Sequence, residues 1–231
     1  MSINISASLI SDFLSCNRKV DFRINSPESS ISSKESFIGI AVHSTIEKHW
    51  NDAAHGIPYL NTYLDISAEL TEEDRKYANV CADNFYQRMA QFLTEDDSIE
   101  KFFKIKISND VYVVGKIDRI CNGVIYDWKT KRLPPKKLFD DPQFMIYEWA
   151  YEKLYGKKPI YSVYGALATG EFIVHKQTEF GRQELFESVI PSIVDSIRRN
   201  EFPRAGYFTR SCFRCQYKDA CLKAGTNVVD S

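Results

Sequence analysis

Two aspartates and a lysine flank a tight turn in the stretch GKIDRICNGVIYDWKTK. Asp118 lies four residues before Asn122, and Asp127 lies four residues after Gly123. Because Asn-Gly is typical of a two-residue type I′ turn, the aspartates should face each other across a hairpin, although a bulge could displace either. Apposed carboxylates repel, so one of them takes up a proton unless a cation lies between them. The pattern therefore predicts a site for a hard divalent ion such as Mg²⁺ or Mn²⁺.

Lys129 is the third residue of this group. It follows Asp127 by two positions, so both side chains should point to the same face of one strand. An ammonium beside a metal suits phosphodiester hydrolysis, where it can orient water or offset charge on the phosphate. A solvated hairpin could carry the same Asp/Lys pattern, but apolar flanks favour a central hairpin, where unpaired acids are costly. These flanking residues are Val113, Val114, Ile117, Val124, Ile125 and Trp128.

Three of the six cysteines form a C-x2-C-x5-C pattern at Cys212, Cys215 and Cys221. This spacing is typical of a metal site rather than a disulfide framework. Three thiolates are one short of a closed site, and the candidates for the fourth are Cys16, Cys81 and Cys121. Cys81 lies in an apolar helical stripe and Cys121 lies at the predicted turn, whereas Cys16 lies in a polar stretch.

The elements around the predicted hairpin are strands. The segments FFKIKI, VYVVGKIDRI and GVIYDWKT alternate as strands do, and IYSVYGALATG and EFIVHKQTEF predict two more. Between these groups, a helix should run from about Pro142 to Tyr155 and stop near Gly156. Another helix is predicted over 182–199. The tail, 200–231, has little periodicity.

The first hundred residues are predicted to be mostly helical. A short amphipathic helix should begin with Ser6 or Ser8 as its N-cap and end near Cys16. A second helix should run from about Ile38 to Trp50, between an exposed loop at 25–36 and an irregular stretch at 51–70. Thr71 and Asp74 resemble a capping box that opens a long helix. Its buried stripe consists of Tyr77, Cys81, Phe85 and Met89.

Taken together, these motifs resemble the PD-(D/E)XK nuclease superfamily, and specifically its RecB-like branch. Asp118 followed by Asp127-Trp128-Lys129 matches the central pattern. The segment from Gly39 to His43 resembles G-x-x-x-H, and the segment from Gln143 to Tyr147 resembles Q-x-x-x-Y. The resemblance implies an α/β (α+β mixed) fold with a restriction-endonuclease-like core, in which helices flank a central mixed β-sheet. It also implies a single nuclease domain over 1–231, with a helical insertion at 57–100.

The resemblance further implies roles for individual residues. The metal would be held by His43, Asp118, Asp127 and the backbone carbonyl of Trp128, with Lys129 as the catalytic lysine. Gln143 and Tyr147 would help to position that lysine and the DNA strand. Glu47 shares a helix face with His43, and it could either support the metal ligands or face solvent.

The cysteines resemble those of the iron–sulfur RecB-like nucleases, which include AddB-type subunits and CRISPR-associated exonucleases. There, one cysteine precedes the nuclease motifs and three follow them, after a segment like EFPRAGYFTRSC. The resemblance implies a [4Fe–4S] cluster that joins the N- and C-terminal segments. Its ligands would be Cys16 together with the three cysteines of the segment 200–222, namely Cys212, Cys215 and Cys221. Zinc on the same thiolates remains an alternative.

Charge and motifs restrict the partners. The net charge of −1 gives no global argument for a nucleic-acid partner, so positive charge must be local. The segment 129–137 contains no acid, and its candidates for phosphate contacts are Lys131, Arg132, Lys136 and Lys137. No apolar run could span a bilayer and no secretory signal is evident, so we expect a cytoplasmic protein. No phosphate-binding G-x-x-x-x-G-K-[ST] loop occurs, so an integrase, helicase or recombinase would be a separate partner.

The sequence therefore predicts a divalent-metal-dependent DNA nuclease, with exonuclease activity on single-stranded ends or overhangs. Its setting would be CRISPR adaptation or phage or plasmid recombination and repair. Two alternatives from other classes stay open. One is a DNA-binding module that carries a cluster but has a silent catalytic centre, and the other is a zinc-stapled interaction protein.

Overall fold

A computed structural model describes most of the chain, namely residues 2–26, 34–48, 70–89, 98–132, 135–205, 210–213 and 215–226. The chain divides into two compact units. The central unit consists of 34–105 and 114–178, and the terminal unit consists of 1–33, 106–113 and 179–231. The units are called central and terminal because of where their residues lie in the sequence.

The central unit contains helices and a mixed sheet. Its helices are α3 (Lys34–Lys48), α4 (Glu72–Asn84, extended by a π-helical turn, Phe85–Met89) and α5 (Pro142–Tyr155). Its strands are β2 (Ser98–Ser108), β3 (Val111–Cys121), β4 (Val124–Lys129), β5 (Leu138–Phe139), β6 (Tyr161–Ala166) and β7 (Glu171–Lys176). Strands β2 and β3 continue into the terminal unit.

The strands pair in the order β3-β4-β6-β7-β5, and β2 pairs with β3. Pairing is antiparallel for β3 with β4 and for β6 with β7, and parallel for β4 with β6 and for β5 with β7. Parallel β4 and β6 need a crossover, which α5 supplies. The predicted mixed α/β fold with a central mixed sheet and helices is confirmed.

The predicted Asn-Gly hairpin is present. Asn122 and Gly123 both have positive φ, 47° and 81°, as a type I′ turn requires. The register pairs Cys121 with Val124 and continues to Arg119 opposite Tyr126. Asp118 and Asp127 are the next residues on the two strands, directly after the last of these pairs, so both lie on this hairpin.

One core cluster lies between α3, α4 and β4. Val42 and Ile46 on α3 pack with Phe85 and Trp128, and all four side chains are buried. Phe85 and Trp128 meet edge to face, with ring centroids 5.4 Å apart. Of the predicted buried stripe, Cys81 and Phe85 are buried in this cluster and Tyr77 is partly buried against it, whereas the side chain of Met89 lies outside the described part of the chain. The cluster fixes α3, which carries His43, against the strand that carries Asp127.

Helix α5 has the predicted bounds. Asp141 is its N-cap and accepts a hydrogen bond from Gln143 N, Pro142 occupies the first turn, and left-handed Gly156 ends the helix. Eight consecutive residues, Phe144–Tyr151, are buried. A helix that is buried all round is a core element. The position of Gln143 therefore depends on packing of the whole helix.

The terminal unit contains β1 (Ile3–Ile5), α1 (Ala7–Ser15), α2 (Asn17–Asn25), α6 (Glu179–Glu184), α7 (Ile190–Arg199), α8 (Arg210–Phe213) and α9 (Lys218–Thr226). Strand β1 runs parallel to the first residues of β3. Ser6 caps α1, which ends before Cys16 as predicted. A π-helical turn, Leu185–Val189, joins α6 to α7. Pro191, which has no N–H to donate, lies in the first turn of α7.

Several sequence expectations need correction. The predicted loop at 25–36 overlaps α2 at its start and α3 at its end, while 27–33 lie outside the described residues. Most of the irregular stretch at 51–70 lies outside them as well. Of the predicted insertion at 57–100, the described part is helical at 72–89, but 98–100 already belong to β2. Among the described residues, no helix is both long and apolar enough to cross a membrane.

Candidate active site and cysteine cavity

Asp118 and Asp127 lie where the regular β3–β4 register ends. Asp118 Oδ2 accepts a hydrogen bond of 2.7 Å from the backbone N–H of Trp128. The carboxylate thus bonds to a backbone group of the neighbouring strand. Asp127 is completely buried and Asp118 is 8% exposed. Two acids with so little contact with water need cationic or hydrogen-bonding partners.

Lys129 and Gln143 are two of those partners. Lys129 Nζ lies 2.7 Å from Asp127 Oδ2 and donates to Gln143 Oε1 at 3.0 Å. Gln143 Nε2 lies 2.7 Å from Asp127 Oδ1 and 2.8 Å from the Tyr147 hydroxyl, and it donates to both oxygens. The Tyr147 hydroxyl in turn donates to the Lys116 carbonyl at 2.7 Å. One amide therefore orients both the acid and the lysine.

His43 approaches the carboxylates from α3. Its Nε2 is 3.0 Å from the Trp128 carbonyl oxygen. Its Nδ1 is 3.6 Å from Glu100 Oε1 and 3.8 Å from Asp118 Oδ1. The side chain is 27% exposed, so this edge of the site is open to solvent. Glu47, one turn further along α3, is half-exposed and lies 4.0 Å from Lys116 Nζ.

The electrostatics are dominated by burial. The pKa of Asp127 is raised to about 7, mainly because burial disfavours its charged form; the charge of Asp118 contributes to the rise, and Lys129 opposes it. Burial disfavours the charged form of Lys129, but Asp127 and Asp118 outweigh it and raise the pKa of the lysine. The site thus keeps an ammonium beside a carboxyl group that releases its proton close to neutrality.

The donor set fits a hard divalent cation. Ligand atoms of His43, Glu100 and Asp118 lie within 4.8 Å of one another. Glu100 and Asp118 face His43 Nδ1, whereas the Trp128 carbonyl oxygen lies 3.0 Å from Nε2. One imidazole among oxygen donors is compatible with Mg²⁺ and favours Mn²⁺.

Glu100 was not singled out from the sequence. It lies in β2 with a positive φ of 50°, and its side chain is 11% exposed. Oε2 lies 2.6 Å from Lys116 Nζ, and the other carboxylate oxygen faces His43. The predicted strand began at Phe102, so Glu100 was left outside it. The only sequence feature that could have indicated Glu100 as a site residue was its place just before the predicted strand.

The basic segment after β4 is held by α4. Tyr77 donates its hydroxyl hydrogen to the Thr130 carbonyl at 2.5 Å, and the Arg132 guanidinium lies over the Tyr77 ring at 4.6 Å. Lys131 and Arg132 are exposed, and so are Lys136 and Lys137. Residues 133–134 lie outside the described residues. The basic side chains are thus accessible to a polyanion, and their role in DNA binding stays a prediction.

The predicted cysteine ligands come together in the terminal unit. A cavity of about 90 Å³ is lined by Cys16, Cys212, Cys215 and Cys221, with Arg18 and Arg204 among its other lining residues. No disulfide joins any two of the six cysteines, all of which belong to the described part of the chain. The backbone N–H of Ala205 donates to Cys16 Sγ at 3.4 Å, and Arg204 donates to the Cys221 carbonyl at 2.7 Å.

Burial raises the pKa of Cys221, while Arg204 and Arg18 oppose the rise. Cys16 and Cys215 are near enough to add to it. Among the described residues, however, the cysteine sulfurs form no group of three within 4.8 Å of one another. Cys81 and Cys121 are buried in the central unit, and the cavity does not include them.

Comparisons with known proteins agree on the fold. A family model described as the PD-(D/E)XK nuclease superfamily matches residues 4–222. A search of curated proteins found no match. A crystal structure from Eubacterium rectale described as a "Putative exonuclease" is similar, with 14% sequence identity and a TM-score of 0.60. The match covers 92% of this chain and 88% of that one, and at such low identity it shows the fold alone.

Proposed function

From the premise that the chain belongs to the PD-(D/E)XK nuclease superfamily, we propose that it is a divalent-metal-dependent deoxyribonuclease. One observation carries the proposal. The buried Asp127 contacts both Lys129 and Gln143, while Asp118 and His43 contact the backbone N–H and the carbonyl of Trp128, the residue between Asp127 and Lys129. This arrangement joins a cation site to a fixed ammonium, as hydrolysis of a phosphodiester requires.

The proposed metal ligands are His43, Asp118, Asp127 and the Trp128 carbonyl, with Glu100 beside them. A divalent cation there would polarise the scissile phosphate and lower the pKa of a bound water. Lys129 would place its ammonium next to the phosphate and stabilise the charge that develops in the transition state. Gln143 would keep Lys129 in that position, and Tyr147 would hold the Gln143 amide.

The finer part of the proposal is an exonuclease of the RecB-like branch that acts on single-stranded ends or overhangs. It is supported by the order of the motifs and by the four cysteines that line one cavity. The lysines and arginine at 131, 132, 136 and 137 would contact phosphates. CRISPR adaptation, with an integrase partner, or recombination and repair, with a helicase or recombinase, would be the cytoplasmic setting.

We further propose a [4Fe–4S] cluster on Cys16, Cys212, Cys215 and Cys221. The number and chemistry of the thiols in the cavity fit such a group. A single zinc ion with bonds of about 2.3 Å would bring its four sulfurs to about 3.8 Å from one another. We favour a cluster over such a zinc site because the order and spacing of the cysteines resemble those of the iron–sulfur nucleases.

A cleavage assay tests the nuclease. Anaerobically purified protein is incubated with end-labelled linear single-stranded DNA, its duplex and circular single-stranded DNA, with Mg²⁺, Mn²⁺ or EDTA. We expect metal-dependent loss of the linear single strand and resistance of the circle, since an exonuclease needs an end. If circular single-stranded DNA is cut as fast as the linear strand, the exonuclease assignment is wrong, although the protein is still a nuclease.

Two active-site variants and one control accompany that assay. Asp118→Ala and Lys129→Ala should each lower the rate at least about 100-fold, because they remove metal or transition-state stabilisation. Lys157→Met removes an exposed lysine near the end of α5 and should retain the wild-type rate. Equal cutting by all four proteins would indicate a contaminating nuclease. Tight DNA binding without cutting would favour the silent DNA-binding module.

A further inference from the structure

We propose that the buried His175 is a positioning residue, which holds Gln143 against Asp127 and Lys129 through the first turn of α5. The inference rests on the proposed function, since Asp127 and Lys129 belong to the proposed active site. His175 itself lies on β7 and touches none of the proposed metal ligands among its hydrogen-bond and ion-pair contacts in the described residues.

The ring of His175 is bonded at both nitrogens. Nδ1 lies 2.9 Å from Glu148 Oε1, and Nε2 lies 3.2 Å from the backbone nitrogen of Asp141. A backbone N–H can only donate, so Nε2 accepts and carries no proton. Nδ1 must then hold the ring proton and donate it to Glu148. These two partners assign one neutral tautomer and fix the plane of the ring.

A continuous set of hydrogen bonds leads from this ring to the active site. Asp141 is the N-cap of α5, and its Oδ1 accepts from Gln143 N at 2.9 Å. The Gln143 side chain then bonds Asp127 and Lys129. The Phe144 ring stacks on His175 with centroids 5.0 Å apart and an angle of 17°. The first turn of α5 is thus held by His175 through both packing and hydrogen bonding.

A purely packing role would not require these polar groups. The His175 side chain is fully buried and that of Glu148 is 8% exposed, so both were removed from water at a cost in free energy. An apolar pair would fill the same space without that cost. The imidazole adds an acceptor for the N–H of the N-cap residue, which the helix itself cannot satisfy. Placement of this turn is therefore the specific contribution of His175.

Two substitutions separate positioning from packing. His175→Phe keeps a flat ring beside Phe144 but loses both hydrogen bonds, while His175→Gln can place an amide oxygen near the position of Nε2. We expect His175→Phe to lower kcat for linear single-stranded DNA at least about tenfold, with KM changed less than about twofold. His175→Gln should recover most of kcat. Equal losses in both variants would contradict the role of the acceptor.

A double-mutant cycle tests whether the effect passes through Gln143. In a Gln143→Ala background, His175→Phe should cost little further activity, because the group that it positions is already absent. Ile146→Val is the matched control, since it removes one buried methylene from the same helix and leaves the polar contacts intact. The control should act independently of Gln143→Ala. Additive losses for His175→Phe would overturn the inference.

Amide hydrogen exchange gives a readout that does not depend on nuclease activity. The Asp141 N–H should be protected in the wild-type protein and in His175→Gln, and it should exchange much faster in His175→Phe. If the wild-type Asp141 amide exchanges as fast as in His175→Phe, the inference is wrong whatever the cleavage assay gives. Absence of cutting by a wild-type chain with a protected Asp141 amide would instead overturn the proposed function.

Discussion

Asp127 is fully buried and is also one of the proposed metal ligands. It has no exposed surface, its two oxygens face Lys129 and Gln143, and its pKa is raised to about 7. A cation that binds to its carboxylate must displace the proton when the pH is below that value. Metal affinity should therefore change across the neutral range.

We predict that Mn²⁺ binds about tenfold more weakly at pH 6 than at pH 8. At pH 8 the Asp127 carboxyl is mostly ionised and ready to bind, whereas at pH 6 it is mostly protonated, so affinity falls as pH falls. Isothermal titration calorimetry with Mn²⁺ at the two pH values measures the change. Asp127→Asn should bind weakly with no such dependence, and His43→Gln should keep it. A dependence that disappears in His43→Gln would assign the effect to the histidine instead.

The sequence located most residues of the candidate site but not all of them. The register of one hairpin was enough to predict Asp118, Asp127 and Lys129, because the Asn122-Gly123 turn determines that register. Glu100 did not follow, because its contact with His43 joins β2 to α3 across a distance in sequence that no local pattern encodes. The same holds for the contacts of His175 with α5.

At the scale of the elements, close packing under β3 leaves no room for a side chain at Gly115. A Cβ atom there would lie 2.5 Å from the nearest atom of the Phe103 ring, and that ring is buried and meets Tyr147 edge to face. Gly39, in α3, is different. A Cβ atom there would come no closer than 3.9 Å, to Thr130 Oγ1.

We therefore predict opposite outcomes for two glycine-to-alanine substitutions. Gly115→Ala should lower the free energy of unfolding by about 1–3 kcal/mol, because Phe103 must leave its site. Gly39→Ala should leave stability unchanged or raise it by up to about 1 kcal/mol, since alanine favours a helix interior. Urea unfolding monitored by circular dichroism measures both. Equal destabilisation by the two changes would contradict the packing argument.

Long elements with clear boundary residues were predictable. Helix α5 matched its predicted bounds because Pro142 and Gly156 mark its ends, and the hairpin matched because Asn122 and Gly123 tolerate positive φ. The three residues of β1 and two of β5 were not predicted. Such short strands exist only through their partners, so the local sequence contains no periodicity to detect.

At the scale of the whole molecule, the cysteine cavity joins segments that are far apart in sequence. Cys16 follows the first helix, whereas Cys221 lies on the last one, and both line the same cavity. A group bound to both would close a loop of about 200 residues and stabilise the terminal unit by restricting the unfolded chain. That stabilisation depends on each ligand being present.

We predict that Cys16→Ala yields protein that is colourless or insoluble, whereas Cys81→Ala and Cys121→Ala keep the wild-type visible absorption. The two controls remove buried thiols that do not line the cavity. Visible absorption together with iron and zinc analysis of the purified proteins measures the outcome. A soluble, brown and fully active Cys16→Ala protein would contradict the ligand assignment. Zinc without iron in the wild-type protein would show that the four cysteines bind zinc instead of an iron–sulfur cluster.

The division of the chain into units also has a consequence for its synthesis. Every residue of the central unit has been translated once Thr178 is added, but the terminal unit includes both the first helices and Cys221. During synthesis, α1 and α2 leave the ribosome before the later residues of their unit, 179–231, have been made. Their apolar faces therefore stay exposed while residues 34–178 are translated. Nascent-chain aggregation and chaperone capture should accordingly concentrate on the N-terminal helices.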